Sequence, residues 1–395
     1  LPISNKQNTS SIHGAPLGNE EMKLFFDEIG WEGDPFDHSD DVYDYFAEKR
    51  LEDEKSFEKW KSNLDDKLKN DGSFKKLWEQ FEKNELSFPE SFEIQEAATR
   101  VTGGNYLKLI GLENKFVLGG SADLAASTKQ IISEESYTSE NRHGQNIEFG
   151  IREHSMAAII NGVSLHSNLF AFGSTFLVFS DYMRPSIRLA SLMNLNSAYI
   201  FTHDSIYLGE DGPTHQPVEH LMSLRLIPGL DVIRPSNSVE TIYAYKYLFS
   251  NTKNPKVLSL TRQNLKFLDY DVEYSDFLNG GFIISKGEDL TIFASGSEVN
   301  LALEIKETLK EYSVQVVSVP ILNKLTPKIS ESLNNNKLTF TIELGKAAGW
   351  SDYIGNITES FSVQTFGKSA PENDLAEFFN VNAESIGKKI RNYLG

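Results

Sequence analysis

The run THDSIYLGEDGPTHQP, Thr202 to Pro217, packs two histidines (His203, His215), two glycines (Gly209, Gly212) and three carboxylates (Asp204, Glu210, Asp211) into sixteen residues. Imidazoles exchange protons near neutral pH, carboxylates accept hydrogen bonds from ligand hydroxyls, and glycines permit tight turns. No apolar core needs such a run, so it reads as a site loop. Three other stretches place chemistry beside apolar runs. GGSADLAAS sets a carboxylate, Asp123, and a hydroxyl, Ser127, among small residues. FGIREHSMAAIING puts Glu153 at the start of an apolar helix, where the helix dipole favours a carboxylate. GSTFLVFSDYMR spaces Phe176, Phe179 and Tyr182 at helical intervals. That spacing serves either as core or, opposite a buried carboxylate, as a pocket for a flat heteroaromatic ring.

The elements that must hold these residues alternate. Apolar runs KFVLGG, LFAFGSTF, SAYIFT, LDVIRP and KVLSLTR are separated by helical patterns such as HSMAAIINGVSLHS, VEHLMSLRL and SVETIYAYKYLF. Strands separated by helices predict an α/β fold, a doubly wound parallel sheet over residues 91–268, with the site loop at a strand's carboxyl end where such sheets keep ligands. A smaller α/β unit is expected over 280–395, from LTIFASG, SEVNLALEIKETLKEY, VQVVSVPI, KLTFTIEL and SVQTFG. Before them, 21–90 is dense in Asp, Glu and Lys and reads as a charged helical linker, and 1–20 is polar and irregular. With 395 residues, 39% apolar and 24% charged, the chain has the composition of a globular protein. The absence of cysteine excludes a disulfide framework, thiolate metal sites and a cysteine nucleophile. A formal charge of −18 argues against nucleic acid as partner, and no apolar run reaches membrane-spanning length. A cytoplasmic location is the expectation, and an anionic ligand must find local basic residues.

Taken together, GIREH with Glu153, the Phe176, Phe179, Tyr182 set, GSADL, HDSIYLGEDGPTHQP and SLTRQNL resemble the transketolase family, thiamine-diphosphate enzymes of the pentose phosphate pathway. The five motifs occur in the family's order, and the GEDGPTHQP run is shared with its near relative dihydroxyacetone synthase. The resemblance implies reversible transfer of a two-carbon ketol unit from a ketose phosphate such as xylulose 5-phosphate to an aldose phosphate such as ribose 5-phosphate. It implies that Glu153 holds a proton at N1′ of the cofactor's aminopyrimidine, which raises the expectation of an apolar pocket and an elevated carboxyl pKa. Phe179, with Phe176 and Tyr182, would stack on that ring, and Asp123 would sit at the cofactor's edge. Arg100, Arg262, Ser127 and His203 match the family's phosphate-binding set, and a planar guanidinium fork suits a phosphate. Asp211 matches a residue that reads a sugar hydroxyl, His215 one near the reacting carbons, and His13 one that assists proton transfer at the donor sugar. His38, His143, His154, His166 and His220 read as structural or solvated. Tyr207 stands where the family usually has glycine, and Thr128 where asparagine is more usual.

The family binds the diphosphate and a divalent cation, Mg or Ca, through a GDG run that this chain lacks. The expectation is therefore that the diphosphate-binding domain is missing: residues 1–20 are its tail, and the metal half of the site lies on that absent partner. On this view the chain, which has no initiator methionine, is a truncated or proteolysed piece of a homodimeric enzyme, inactive alone. The alternatives are dihydroxyacetone synthase and a non-catalytic dimerisation module. Deoxyxylulose-phosphate synthase is disfavoured by the HDS run and the complete GEDGPTHQP.

Overall fold

The structure, a computed structural model, describes residues 5–268, 270–334 and 336–395. It divides into two compact units, Leu1–Trp78 and Glu79–Gly395. The first is built on helices Asn19–Ile29 and Asp40–Asn70, neither of which buries a residue. A helix of 31 residues that is polar on most of its circumference needs local support. It receives some from the pairs Lys49–Glu52, Lys49–Asp53 and Arg50–Glu54, one turn apart. Helix Gly72–Lys83 follows.

In the second unit, largely buried strands build a parallel sheet. β1 (Val117–Ser121), β2 (Phe170–Phe176), β3 (Ala198–Thr202), β4 (Asp231–Ile233) and β5 (Lys256–Leu260) lie in the order β1-β2-β3-β5-β4. All four pairings are parallel, so each connection crosses over through a helix and both faces are covered. Alternate residues take alternate faces. On one, Tyr199, Phe201, Val232 and Val257 share a core with Met156 and Ile160 of helix Glu153–His166 and Ile187 of helix Ser180–Leu192. On the other, Phe172 meets Phe249 edge-on, and helices Thr99–Glu113 and Ser238–Leu248 join through Tyr106 and Tyr245. Gly173 of β2 matters here. A Cβ on it would collide with Ile160 and Met156, so glycine lets the helix headed by Glu153 lie close on the sheet.

The second sheet contains β6 (Phe282–Ser285), β7 (Leu290–Ala294), β8 (Val314–Ser318), β9 (Leu338–Glu343) and β10 (Glu359–Ser362), in the order β10-β9-β7-β8-β6. It is parallel except for β6, which pairs antiparallel with β8. Ile292, Val316, Phe340 and Ile342 pack there against Ile305 of helix Glu298–Thr308 and Ile386 and Ile390 of helix Ala383–Leu394. Three details differ from the sequence pattern. The edge strand β6 carries no separate signal, the last strand ends at Ser362 instead of running through SVQTFG, and helix Glu298–Thr308 stops short of Glu311. Val363 already turns away, its N–H donating to the Gly345 carbonyl. Among the described residues no helix is long and apolar enough to cross a membrane.

At the amino end of β5, away from the site loop, Lys256 is fully buried and donates from Nζ to Asn196 Oδ1 (2.8 Å) and the Ser250 carbonyl (3.2 Å). Burial pulls its pKa from the ordinary 10.5 down to about 7, against the attraction of Asp231. Between those values the unfolded chain binds a proton that the folded chain does not, so this group's contribution makes the fold more stable as pH rises. The unfolding free energy of the wild type, measured by urea titration, should climb relative to that of Lys256→Met between about pH 7 and 9.5. Parallel pH profiles of the two proteins would exclude a neutralised lysine.

Candidate active site

The carboxyl ends of β1, β2, β3 and β5 carry most of the residues singled out by sequence. Phe176 closes β2, Phe179 sits in the 3-10 turn Leu177–Phe179, and Tyr182 lies in the first turn of the next helix. The three are therefore not one helical stripe, as their spacing suggested, yet they converge. Phe176 stacks on Phe179 with centroids 5.8 Å apart and planes 9° from parallel, and Phe179 lies 6.2 Å from Tyr182. Both histidines of the site loop join them. His203 stacks on Phe176 at 3.7 Å, and His215 stands edge-on to Phe179 at 5.6 Å. Phe176 is buried, Phe179 half-buried and Tyr182 64% exposed, so the group presents an open aromatic face to a ligand.

His203 follows β3 directly and adopts a left-handed backbone, φ 60°. A non-glycine residue there is strained, and its neighbours hold it. Its Nδ1 lies 2.8 Å from Thr202 Oγ1, and the next residue, Asp204, is buried and accepts from Arg234 Nε at 2.8 Å. Burial, then the charges of Arg100, Arg262 and His215, push the His203 pKa down to about 3. The imidazole is thus neutral at physiological pH.

The two arginines are brought together by their preceding residues. Thr99 N–H donates to Thr261 Oγ1 (3.0 Å) and Thr261 N–H donates to Thr99 Oγ1 (2.8 Å), which sets Arg100 and Arg262 side by side at the ends of a helix and a strand. Arg100 donates through Nη1 to the Ser127 carbonyl, while its buried Nε has no partner. Burial and then Arg262 pull the Arg100 pKa below its ordinary value. Among the described residues Arg262 makes no hydrogen bond or ion pair; Glu372, whose own carboxyl is pushed up by burial, feels its charge. Two guanidinium groups beside a neutral histidine, in a strongly acidic chain, form a local field that suits a dianion.

Other expected residues fare differently. Ser127 ends up beside Arg100 through its backbone carbonyl. Asp123 is exposed, in a left-handed conformation (φ 59°), and lines a cleft of about 570 Å³ with Ser121, Gln130, Ser133, Asn146 and Gly150. Asp211 is exposed at the tip of the site loop, between Gly209 (φ 88°) and Gly212 (φ 78°), whose backbone only glycine adopts without strain. His215 Nδ1 lies 2.9 Å from Thr214 Oγ1. Glu153 opens its helix half-buried, and among the described residues it forms no hydrogen bond or ion pair. Its carboxylate is thus unengaged and available to a ligand. His13 is exposed and belongs to the Leu1–Trp78 unit. Of the histidines read as structural or solvated, His220 is buried, its Nε2 3.2 Å from Asp181 Oδ2.

Sequence reasoning missed Asp204, Arg234, Glu298 and Gln216. Arg234 is fully buried and also donates from Nη1 to Glu298 Oε1 (2.7 Å) and the Ser295 carbonyl (2.8 Å). The turn SGSEV, Ser295 to Val299, thus receives the cation that braces the site loop. A charged residue within each of RPSNS, HDS and SGSEV was visible, but nothing in the sequence paired them.

The match to known families follows the same organisation. A family model for the transketolase pyrimidine binding domain matches residues 95–267, one for the transketolase-like C-terminal domain 280–382, and one for the transketolase thiamine diphosphate binding domain 2–86. The chain belongs to the transketolase family. Transketolase of Bacillus subtilis is 37% identical over 412 aligned positions that take in 98% of this chain and 61% of the relative. For Staphylococcus aureus transketolase the identity is 38%, with 98% and 62% covered. The structure of transketolase from Leishmania mexicana superposes with a TM-score of 0.87 at 31% identity, over 98% of this chain and 60% of that one. The chain therefore spans about three-fifths of the length of the relatives it matches.

One expectation is overturned. The thiamine diphosphate binding domain is not a missing partner, because the model of that domain matches residues 2–86 of this chain. That match takes in most of residues 1–20 and much of the supposed linker 21–90, so the cofactor's cation cannot be assigned to a domain outside the chain on this ground. The expectation rests on one absent motif, GDG, whereas the likeness is spread over charged helices that carry no catalytic signature.

The His203 titration can be followed directly. Imidazole resonances should stay those of the neutral ring from pH 8 down to about 4, because its pKa lies near 3, and the resulting proton deficit costs stability as pH falls from 6.5 toward 3. An ordinary transition near 6.5 would show that neither burial nor the arginine pair acts on it.

Proposed function

We propose that this chain carries out transketolase chemistry in the cytoplasm, moving a two-carbon ketol unit between sugar phosphates, with xylulose 5-phosphate as donor and ribose 5-phosphate as acceptor. The single observation that carries the reading is an open aromatic face, Phe176–Phe179–Tyr182, beside an unneutralised arginine pair, Arg100 and Arg262. A flat ring and a phosphate are the two groups such an arrangement accepts, and thiamine diphosphate with a sugar phosphate presents both.

The residues fit the cofactor. Phe179, flanked by Phe176 and Tyr182, stacks on the aminopyrimidine and keeps water from it, Asp123 sits at its edge, and Glu153 holds a proton at ring N1′. An unengaged, half-buried carboxylate at a helix start supports this role for Glu153. Bound in this way, thiamine diphosphate supplies the nucleophilic carbon that accepts the ketol unit. Arg100, Arg262, Ser127 and neutral His203 hold the substrate phosphate, Asp211 reads a sugar hydroxyl, His215 stands at the reacting carbons, and His13 assists proton transfer at the donor. Two copies of the chain would pair. This is supported by apolar side chains exposed on neighbouring elements, Ile151 (79%), Leu192 (68%) and Leu226 (71%) among them.

Ketol transfer assayed with thiamine diphosphate and Mg²⁺ tests the reading. Glu153→Ala should lower kcat by roughly 10²- to 10⁴-fold with an unchanged melting curve of the cofactor-free protein. Near-normal turnover in that variant, or no ketol transfer by the wild type with any sugar phosphate, would reject it.

A further inference from the structure

The site loop is held from outside its own lobe. Gln216, 2% exposed, donates from Nε2 to the carbonyls of Ile206 (3.1 Å), Gly209 (3.0 Å) and Lys368 (2.9 Å). The first two belong to the loop; the third belongs to TFGKSAP, Thr365 to Pro371, in the lobe of the second sheet. Around it the contacts are close. The Ser369 hydroxyl donates to the Glu210 carbonyl, the Tyr207 hydroxyl donates to the Val381 carbonyl at 3.2 Å, and a Cβ on Gly212 would come within 3.2 Å of Ser369 Cβ. A Cβ on Gly367 would collide with Gln216 Oε1. Asp211 lies between the anchored carbonyls of Gly209 and Glu210 and the Gly212 contact, and His215 immediately precedes Gln216.

We propose that Gln216 is a positioning residue, and that the TFGKSAP segment of the second lobe fixes where Asp211 and His215 stand. The chemistry is donor-specific. A primary amide offers two hydrogens, shared here among three carbonyl oxygens, and no carboxylate can replace it. Tightening the loop matters because a displacement of about 1 Å at a reacting group costs on the order of a hundredfold in rate. The inference rests on the ketol-transfer reading for its kinetic consequence, but not for its structural one.

The test uses the full chain with Gln216→Ala, the isosteric Gln216→Glu, and Gly367→Ala, measured by hydrogen exchange without substrate and by ketol-transfer kinetics. In Gln216→Ala, amides of residues 206–216 should exchange roughly tenfold faster while the two sheets keep their protection. The value of kcat should fall about a hundredfold with KM for the ketose changed less than about threefold. Gln216→Glu should be at least as impaired as the alanine variant, because a carboxylate faces three carbonyls, and Gly367→Ala should reproduce the same kinetic pattern. A wild-type-like Gln216→Glu would show a space-filling role and overturn the proposal, as would unchanged loop exchange in Gln216→Ala. If the Gln216 variants fail to fold, Ser369→Ala, which removes one bond, must still speed exchange around Glu210 to Gly212, and its failure to do so counts against the clamp. Should the wild type show no ketol transfer, the functional reading fails while loop exchange still decides the clamp.

Discussion

A buried guanidinium joins the lobe of the parallel sheet to its neighbour. Arg234 leaves the end of β4 and meets Asp204 from the loop after β3 and Glu298 from the helix after β7, all three side chains shut off from solvent. Burial alone would pull the arginine pKa down; Glu298 and Asp204 together push it above its ordinary value, so the cation is retained. Buried ion pairs of this kind add little net stability over an apolar replacement, but they are demanding about partners: removing one member strands the others in a low-dielectric interior. The triad therefore dictates which loops meet. The strained backbone of His203 sits one residue from Asp204, so the imidazole that stacks on Phe176 inherits its place from this contact. A second buried pair, Arg225 with Glu343 at 2.7 Å, joins the same two lobes and is completed by the Trp350 indole donating to Glu343.

With the lobes fixed, the site's electrostatics follow from a contrast. The chain is acidic overall, yet Arg100 and Arg262 stand together with little to neutralise them, held by the reciprocal Thr99–Thr261 bonds. Burial first, and then their field, keep His203 neutral, which leaves a ring able to donate or accept a hydrogen bond without adding charge. The aromatic face beside it provides the complementary apolar surface. The arginine pair, the stacked rings and the loop histidines are thus parts of one arrangement at the carboxyl ends of a parallel sheet.

Much of this was legible in the sequence. The alternation of apolar runs and helical patterns marked the strands of the parallel sheet, since strands buried on both faces read as short continuous hydrophobic runs. The THDSIYLGEDGPTHQP run announced a site because its residue types have no use in a core. What sequence could not supply was pairing. Arg234, Asp204 and Glu298 are far apart along the chain, and nothing in their local context distinguishes a buried charge from a solvated one. Phe176, Phe179 and Tyr182 matched a helical period by coincidence: a strand end, a 3-10 turn and a helix each contribute one ring. Glu153 was expected in an apolar pocket because the resemblance gave it a proton to hold; at its helix start it is half-buried, since the exposure of a helix start depends on what else packs there. The absent GDG run misled for a related reason, because one motif was allowed to stand for a domain.

Arg234 ties the two lobes together and thereby holds the site loop. Urea unfolding of Arg234→Ala, followed by fluorescence and by exchange of the amides of residues 203–216, is the sharpest test. A loss of about 3–5 kcal/mol is expected together with faster loop exchange under native conditions, because two carboxylates are left buried without their cation. Stability within about 0.5 kcal/mol of the wild type, with the loop still protected, would contradict it.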